Sequence, residues 1–148
     1  MYQHIMLPFD GSELSQKAAK EGIALAKMIG AKITLITVIV PFHTGITSPI
    51  TSEIVHEVEH GRDEESKKKV AKLHADIASR AKSDGVQCES VIALDGNPYE
   101  QIIAKAKKLK CDLIVMASHG RRGIDALLLG SETAKVLTHS KIPVLVVR

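Results

Sequence analysis

The sequence predicts an α/β domain of three layers, an open parallel five-stranded sheet in the order 3-2-1-4-5 with helices on both faces. Two observations predict it. Apolar runs of strand length alternate with longer segments of helical period, the pattern of βαβ units around a parallel sheet, and the first two runs are near-continuously apolar, as strands buried on both faces are. Right-handed crossovers then restrict the winding. With strands one, two and three proceeding in one direction and strand four returning to the far side of strand one, the switch point falls between strands one and four. At 148 residues, 45% of them hydrophobic, the chain has the size of one domain spanning residues 1–148 and can bury a core without staples.

Each element has its own signal. Strand one is "HIMLPF", 4–9. Leu14, Ala18, Gly22 or Ile23, Leu25 and Ile29 then recur at helical spacing, and Gly30 stops helix one. Strand two is "KITLITVIV", 32–40, followed by a long irregular stretch from Pro41 to Pro49 that is expected to be mobile. Helix two is placed over about Ser52 to Ser83, apolar at Ile54, Val55, Val58, Val70, Leu73 and Ile77, with Gly85 after it. Its polar middle, "HGRDEESKKK", suggests that the first part is a separate turn or a frayed segment. Strand three, "VQCESVIAL" at 86–94, is partly polar, as an edge strand is. Helix three opens on "NPYE", where Asn97 caps, Pro98 takes the first helical position and Glu100 closes a capping box. Strand four is "DLIVMAS", 112–118; helix four begins at Ser131 and ends before "KIPV"; "PVLVV", 143–147, is strand five.

Composition excludes several functions. There is no tryptophan, and Tyr2, Tyr99, Phe9 and Phe42 are the only aromatic rings, too few for base-stacking platforms. A formal charge of +3 spread over both signs is not the concentrated stripe that grips a phosphate backbone, so nucleic acid is not an expected partner. Cys88 and Cys111 fit no metal spacing and are too few for a disulfide scaffold, which reads as reduced core thiols. The chain reaches "IMLPFD" within its first ten residues, leaving no room for a signal peptide, and no apolar run approaches the ~20 residues of a membrane span. A soluble cytoplasmic protein without a membrane partner is expected.

Two stretches carry candidate chemistry. "HEVEH", His56 to His60, matches the HExxH pattern in which two histidines one helical turn apart bind zinc and the glutamate is a general base. Here Gly61, Arg62 and a charge run follow at once, and Glu64, Glu65 or His74 enter as a third ligand only ad hoc. Zinc hydrolysis is therefore a remote reading, and two histidines on a solvated helix face is the better one. The second stretch, "LIVMASHGRRGIDALLLGSET" at 113–133, leaves a buried strand, passes through a glycine loop with two arginines and restarts as a helix at the expected switch point. Ligands of open α/β sheets bind there, outside the carboxyl ends of the strands. Gly120 and Gly123 let the backbone approach a ligand, and Gly130 and Ser131 offer main-chain N–H groups and a hydroxyl at a helix start, which favours anions. The plain alternative is a strand-to-loop turn at Gly120 and an N-cap at Ser131. No GxxxxGK[ST] or GxGxxG is present.

From Ala117 through Ser131, "SHG", nine residues and then "GS" resemble the nucleotide-binding signature of the universal stress protein family: Gly, two residues, Gly, nine residues, Gly, then Ser or Thr. "IMLPFDGSE" at the start, "VMASHG" at the end of strand four and "IPVLVVR" at the finish extend the resemblance over the chain. Ala117 departs from the pattern, standing where the first glycine stands, so that its methyl group either crowds sugar and phosphate or is accommodated.

The resemblance implies an adenine nucleotide alpha hydrolase-like fold that binds ATP, or ADP or AMP, with Mg2+ as a possible companion. It places Asp10 on the ribose, Pro8, Phe9 and Val38 around the adenine, with Val38 offering main-chain hydrogen bonds, and Met116 and Ala117 beneath the sugar. Gly120, Gly130, Ser131 and Glu132 would surround the phosphates, with Glu132 acting through its N–H and its carboxylate turned to water or a metal. Asp10 has a second reading as N-cap of helix one with Glu13. His119 either meets a phosphate or orients the loop, and Arg121 and Arg122 either clamp a triphosphate or stand on a solvated loop face. ATP hydrolysis needs a metal and a group that positions water, and the loop offers no carboxylate besides Asp125. The expected role is accordingly a regulator or sensor in stress adaptation, acting on a still unknown protein partner, rather than a catalyst. "PVLVV" would be an unprotected apolar edge, which pairing with its copy in a homodimer through Val144 to Val147 would cover, as the resemblance also implies. The alternative from another class is a nucleotide-free dimeric interaction module, which Ala117 favours.

Overall fold

The computed structural model describes residues 1–40, 52–94, 96–120 and 129–148, with backbone alone for 52–63. Along the chain run β1 (His4–Pro8), α1 (Glu13–Ile29), β2 (Lys32–Ile39), α2 (Ser52–Ser83), β3 (Cys88–Leu94), α3 (Pro98–Lys108), β4 (Leu113–Ala117), α4 (Ser131–His139) and β5 (Val144–Val147). The strands form one sheet in the order β3-β2-β1-β4-β5, every adjacent pair parallel. This is the predicted topology, with strand ends shorter by a residue or two.

Alternation along each strand divides the core into two layers. Ile5 and Leu7, Ile33 and Leu35, and Leu113 and Val115 pack with Ala19, Ile23 and Ala26 of α1 and Ile77 and Ala81 of α2. Met6, Ile36, Ile114 and Met116 point the other way, onto Ile102 and Ala106 of α3 and Val136 of α4. The core is thus built from aliphatic and small residues, with Phe9 its one buried aromatic ring among the described residues.

The helix ends decide where the cleft residues stand. α1 is capped by Ser12, whose Oγ accepts from Ser15 N at 3.2 Å, and it stops at Gly30, where φ is +70°. The alternative of Asp10 as that cap is corrected, because the cap lies two residues further on. The capping box of α3 does not form. Asn97 occupies the N-cap without a side-chain bond, and Glu100 Oε1 instead accepts from the Tyr99 hydroxyl at 2.9 Å. Tyr99 N donates to Glu132 Oε2 of α4 at 2.9 Å, a tertiary partner that replaces the local one. At α4 the N-cap is Gly130, so Ser131 is the first helical residue rather than the cap.

α2 is one continuous helix from Ser52 to Ser83, not a helix preceded by a separate turn. Its charged middle is composed of good helix formers, and pairs such as Glu64 with Lys67 at 2.7 Å and Glu65 with Lys69 at 2.9 Å support it. The stretch 41–51, expected to be mobile, lies outside the described residues. β3 is an edge strand with exposed Glu89 and Ser90, as its polarity predicts.

Two buried histidines tie the layers together. His4 Nδ1 donates to Leu109 O at 3.1 Å, and Nε2 accepts from Thr34 Oγ1 at 2.8 Å. Beside it Asp112 accepts from the amides of Gln3 and His4 at 2.8 and 2.9 Å, joining the starts of β1 and β4. Burial acts to raise the Asp112 carboxyl, and these amide bonds outweigh it and hold the carboxyl low. His74 of α2 lies 2.7 Å from Thr37 Oγ1 of β2. Burial lowers both histidines, with the Lys32 charge adding to the effect at His4.

A histidine that is neutral in the fold and ordinary in the unfolded chain makes the unfolded state bind more protons as pH falls below about 6.5. Stability is therefore expected to be level above about pH 7 and to fall from about 6.5 downward. Urea unfolding at pH 7.5 and 5.5 checks this; equal stability at the two values would refute it.

Candidate functional site

The cleft begins where one backbone donor is missing. β1 pairs with β2 as far as Pro8↔Ile36, but with β4 only as far as Met6↔Ile114. Alternation turns Pro8 toward β4, and its ring has no N–H for the next rung. The β1–β4 ladder therefore stops two residues before the β1–β2 ladder, which continues with Phe9 N donating to Ile36 O at 2.8 Å. β2 runs on to Ile39. The main-chain groups of Val38, oriented like those of Ile36 toward the β1 side, thus stand where β1 has already ended.

Across the seam, residues after β4 and before α4 are laced together. Ser118 N donates to Val147 O at 2.8 Å, Gly130 N to Ser118 O at 2.7 Å, and Thr133 Oγ1 to Ala117 O at 2.9 Å. The first α4 bond among these runs from Ala134 N to Gly130 O at 2.9 Å. The amides of Ser131, Glu132 and Thr133 accordingly belong to the first turn, which has no intrahelical acceptor. Glu132 sends its carboxylate away from that turn, onto Tyr99 N and onto Lys135 Nζ at 3.1 Å. It is therefore engaged by two protein donors, with 37% of the side chain still exposed.

Two glycines stand in close quarters, Gly130 against backbone and Gly120 against a side chain that can swing away. A Cβ on Gly120 would stand 2.6 Å from Asp10 Oδ2, and one on Gly130 would stand 2.9 Å from His119 Cα. The first contact shows the Asp10 carboxylate reaching across the seam to the β4 side. Its other oxygen accepts from Ser12 N at 2.9 Å, an Asx turn that aims it.

The space enclosed measures about 550 Å³, within the range of small-molecule sites. Pro8, Phe9, Asp10, Val38, Met116, Ala117, His119, Gly120, Gly130, Ser131 and Glu132 all line it. Arg121 and Arg122, with Gly123 and Asp125, lie outside the described residues. Sequence reasoning missed Ser15, Ile36, Thr37, Val40, Pro98, Ile102 and Thr133, which line the same cleft. For Pro98 and Ile102 a signal existed: α3 follows a strand whose carboxyl end lies on the cleft side of a parallel sheet.

No group of three or more His, Cys, Asp or Glu able to hold a metal occurs among the described residues. His56 to His60 lie within α2, their side chains outside the description. Burial pushes both thiols, Cys88 and Cys111, up to about 11, with neighbouring Glu89 and Asp112 adding to the respective effect. No helix of the described residues is long and apolar enough to cross a membrane.

The family model for the universal stress protein family matches residues 1–148. The chain belongs to the universal stress protein family. Universal stress protein MJ0531 of Methanocaldococcus jannaschii is 35% identical over 150 residues, covering 100% of this chain and 83% of its own. Among solved structures, that of MJ0577, also from Methanocaldococcus jannaschii, superimposes with a TM-score of 0.83 at 28% identity, covering 99% of this chain and 96% of that one. A universal stress protein in complex with cAMP superimposes with a TM-score of 0.71 at 25% identity, covering 99% and 97%. Ala117, the residue that departs from the resembled signature, is 8% exposed and lines the cleft.

The Gly120 geometry gives a test that requires no ligand. Gly120→Ala is expected to displace the Asp10 carboxylate and shift the amide resonances of Gly11 and Ser12. Gly30→Ala, at φ +70° with nothing within 4 Å, is expected to cost about 1 kcal/mol of stability and leave those amides in place. The reverse pattern in heteronuclear NMR spectra would contradict the contact.

Proposed function

We propose that the cleft binds an adenine nucleotide, ATP or its shorter relatives ADP and AMP, and that the chain serves in the cytoplasm as a nucleotide-dependent regulator or sensor in stress adaptation. One observation carries the reading: a main-chain edge at Val38, a carboxylate at Asp10 and the first-turn amides of α4 share one cleft of about 550 Å³. An edge with both donor and acceptor suits a base, a carboxylate accepts from ribose hydroxyls, and a helix N-terminus suits phosphate. The related protein solved with cAMP supports the same ligand class.

In this reading Pro8, Phe9 and Val38 border the adenine, Asp10 takes the ribose, and Met116 and Ala117 lie beneath the sugar. Gly120, Gly130, Ser131 and the Glu132 amide receive the phosphates, joined by His119, Arg121 and Arg122. Mg2+ would ride on phosphate oxygens, because of the two cleft carboxylates Glu132 is engaged by Tyr99 and Lys135. No hydrolytic step is assigned to any residue.

A second reading, an interaction module without nucleotide, draws on the Ala117 methyl. Nucleotides released by denaturing freshly purified protein and identified by mass spectrometry, together with thermal shift at millimolar ATP, decide between the two. Nucleotide present at 100 times its Kd is expected to add about 2.7 kcal/mol. Ala117→Gly is expected to tighten binding; absence of any adenine-nucleotide effect on both proteins would overturn the nucleotide reading.

The free side of β5 supports a homodimer as part of this proposal. β5 ends the sheet, and Leu145 is 44% exposed, so pairing of Val144 to Val147 with a second copy would cover an apolar edge. Sedimentation at micromolar concentration is expected to give a dimer that Leu145→Lys weakens; a monomer throughout would refute it.

A further inference from the structure

The one orphaned polar atom of a buried side chain among the described residues is Nδ1 of His74. His74 is 1% exposed, and its ring meets that of Phe9 edge-on, with centroids 6.1 Å apart at 64°. Its other nitrogen lies 2.7 Å from Thr37 Oγ1, and the Thr37 hydroxyl in turn bonds the Phe9 carbonyl. Only one arrangement of protons suits this chain of groups. A carbonyl can only accept, so the single Thr37 proton goes to Phe9, and Thr37 then accepts from His74. The ring therefore carries a proton on Nε2, and because burial disfavours the charged form Nδ1 is a bare acceptor. The opposite tautomer would bury an N–H with no acceptor, the costlier fault.

Thr37 and Phe9 both line the cleft, and Asp10 comes directly after Phe9 in the chain. We propose that His74 is a positioning residue of the cleft, a neutral Nε2–H donor that acts through Thr37 to hold the Phe9 carbonyl and with it the turn that aims Asp10. The consequence for nucleotide rests on the reading given under Proposed function. Through this relay α2, which has none of its described residues among those lining the cleft, acts on the ligand.

Protonating His74 adds a second N–H that has no acceptor and a charge that has no counterion. Among the described residues no charged group faces it from the elements packed there. Just past β1 it meets Phe9, from β2 Thr37, and the α1 residues in the core beside it are Ala19, Ile23 and Ala26. The face of β3 that includes Cys88 carries also Ser90, Ile92 and Leu94, and its one titratable group stays protonated, pushed up to about 11. On α2 the nearest charge on the same face is Lys67, two turns away and paired with Glu64. Asp10 is the one carboxylate adjoining the relay in the chain.

The experiment uses the full chain and four variants: His74→Gln, which keeps an uncharged donor, His74→Phe, Thr37→Val, and the Phe and Val changes together. Folding is verified by melting temperature, and AMP is titrated at pH 7.5 and 5.5. His74→Phe and Thr37→Val are each expected to weaken AMP about five- to tenfold, the scale of one hydrogen bond, and the double variant no further. His74→Gln is expected to stay within about twofold of the parent at pH 7.5 and to lose less than the parent at pH 5.5, while the nucleotide's own phosphate titration is common to both. Unchanged affinity in a folded His74→Phe, additive losses in the double variant, or the same pH profile for parent and His74→Gln would overturn the proposal. Failure of the parent to bind any adenine nucleotide would overturn the reading of the cleft instead. In that event the Phe9 and Asp10 amides must still titrate together with His74 in the parent and shift in His74→Phe, or the positioning role falls as well.

Discussion

The site depends on a hydrogen bond that proline cannot make. A parallel sheet of aliphatic strands has every reason to zip shut along its length, since each rung pairs two groups that are costly to leave buried and alone. At Pro8 the donor toward β4 is missing, while the rungs toward β2 continue through Phe9. The ladder ends early on one side of β1 only. The segments leaving β1 and β4 are joined there by no ladder rung, and Asp10 and Gly120 meet across the seam by side chain instead. A cleft at a topological switch point is commonly described as a result of strand order. Strand order here brings β1 and β4 together, and the proline determines where along them the opening starts.

Much of the architecture was legible because it depends on periodicity, which is local. Continuous apolar runs bounded by glycine and proline located the strands, and handedness then restricted the winding. The misreadings share a cause. Asn97, Pro98 and Glu100 have the spacing of a capping box, yet Glu132, distant in sequence, wins the Tyr99 amide, and Glu100 goes to the Tyr99 hydroxyl. The polar middle of α2 looked like an interruption because amphipathic period was used as the measure of helicity. Lysine and glutamate continue a helix whether or not a face is apolar. The relay from His74 was illegible for the same reason as the Glu132 bond, since no local pattern records a histidine's partner 37 residues away.

The spacing of the loop glycines was legible for a reason that differs from the one first apparent. Glycine near phosphate is ordinarily explained by the close approach of ligand to backbone. At Gly120 the nearest obstacle to a side chain is Asp10, and at Gly130 it is the backbone of His119 and Ser118. Gly130 is closed by backbone before any ligand arrives, and a side chain at Gly120 would have to move the Asp10 carboxylate. The constraint comes from bringing two chain segments over one seam. A glycine signature of this kind therefore reports the folded loop as directly as it reports what the loop holds, and Ala117 breaks the signature at a position where β4 is still a regular strand and a methyl group fits.

The cleft is held by bonds between side chains and main chain more than by contact among its lining residues. Thr37 bonds the Phe9 carbonyl, Thr133 the Ala117 carbonyl, Asp10 accepts from Ser12 N, and Glu132 accepts from Tyr99 N. Each places a backbone segment of the rim by means of a residue rooted in a neighbouring element or turn. Ordering such segments costs free energy, and here that cost is met during folding, so a ligand need not supply it on arrival. The same arrangement makes the rim answer to groups beyond it. A hydroxyl with a single proton can satisfy only one acceptor, so with the Thr37 proton on the Phe9 carbonyl the facing nitrogen of His74 has to donate.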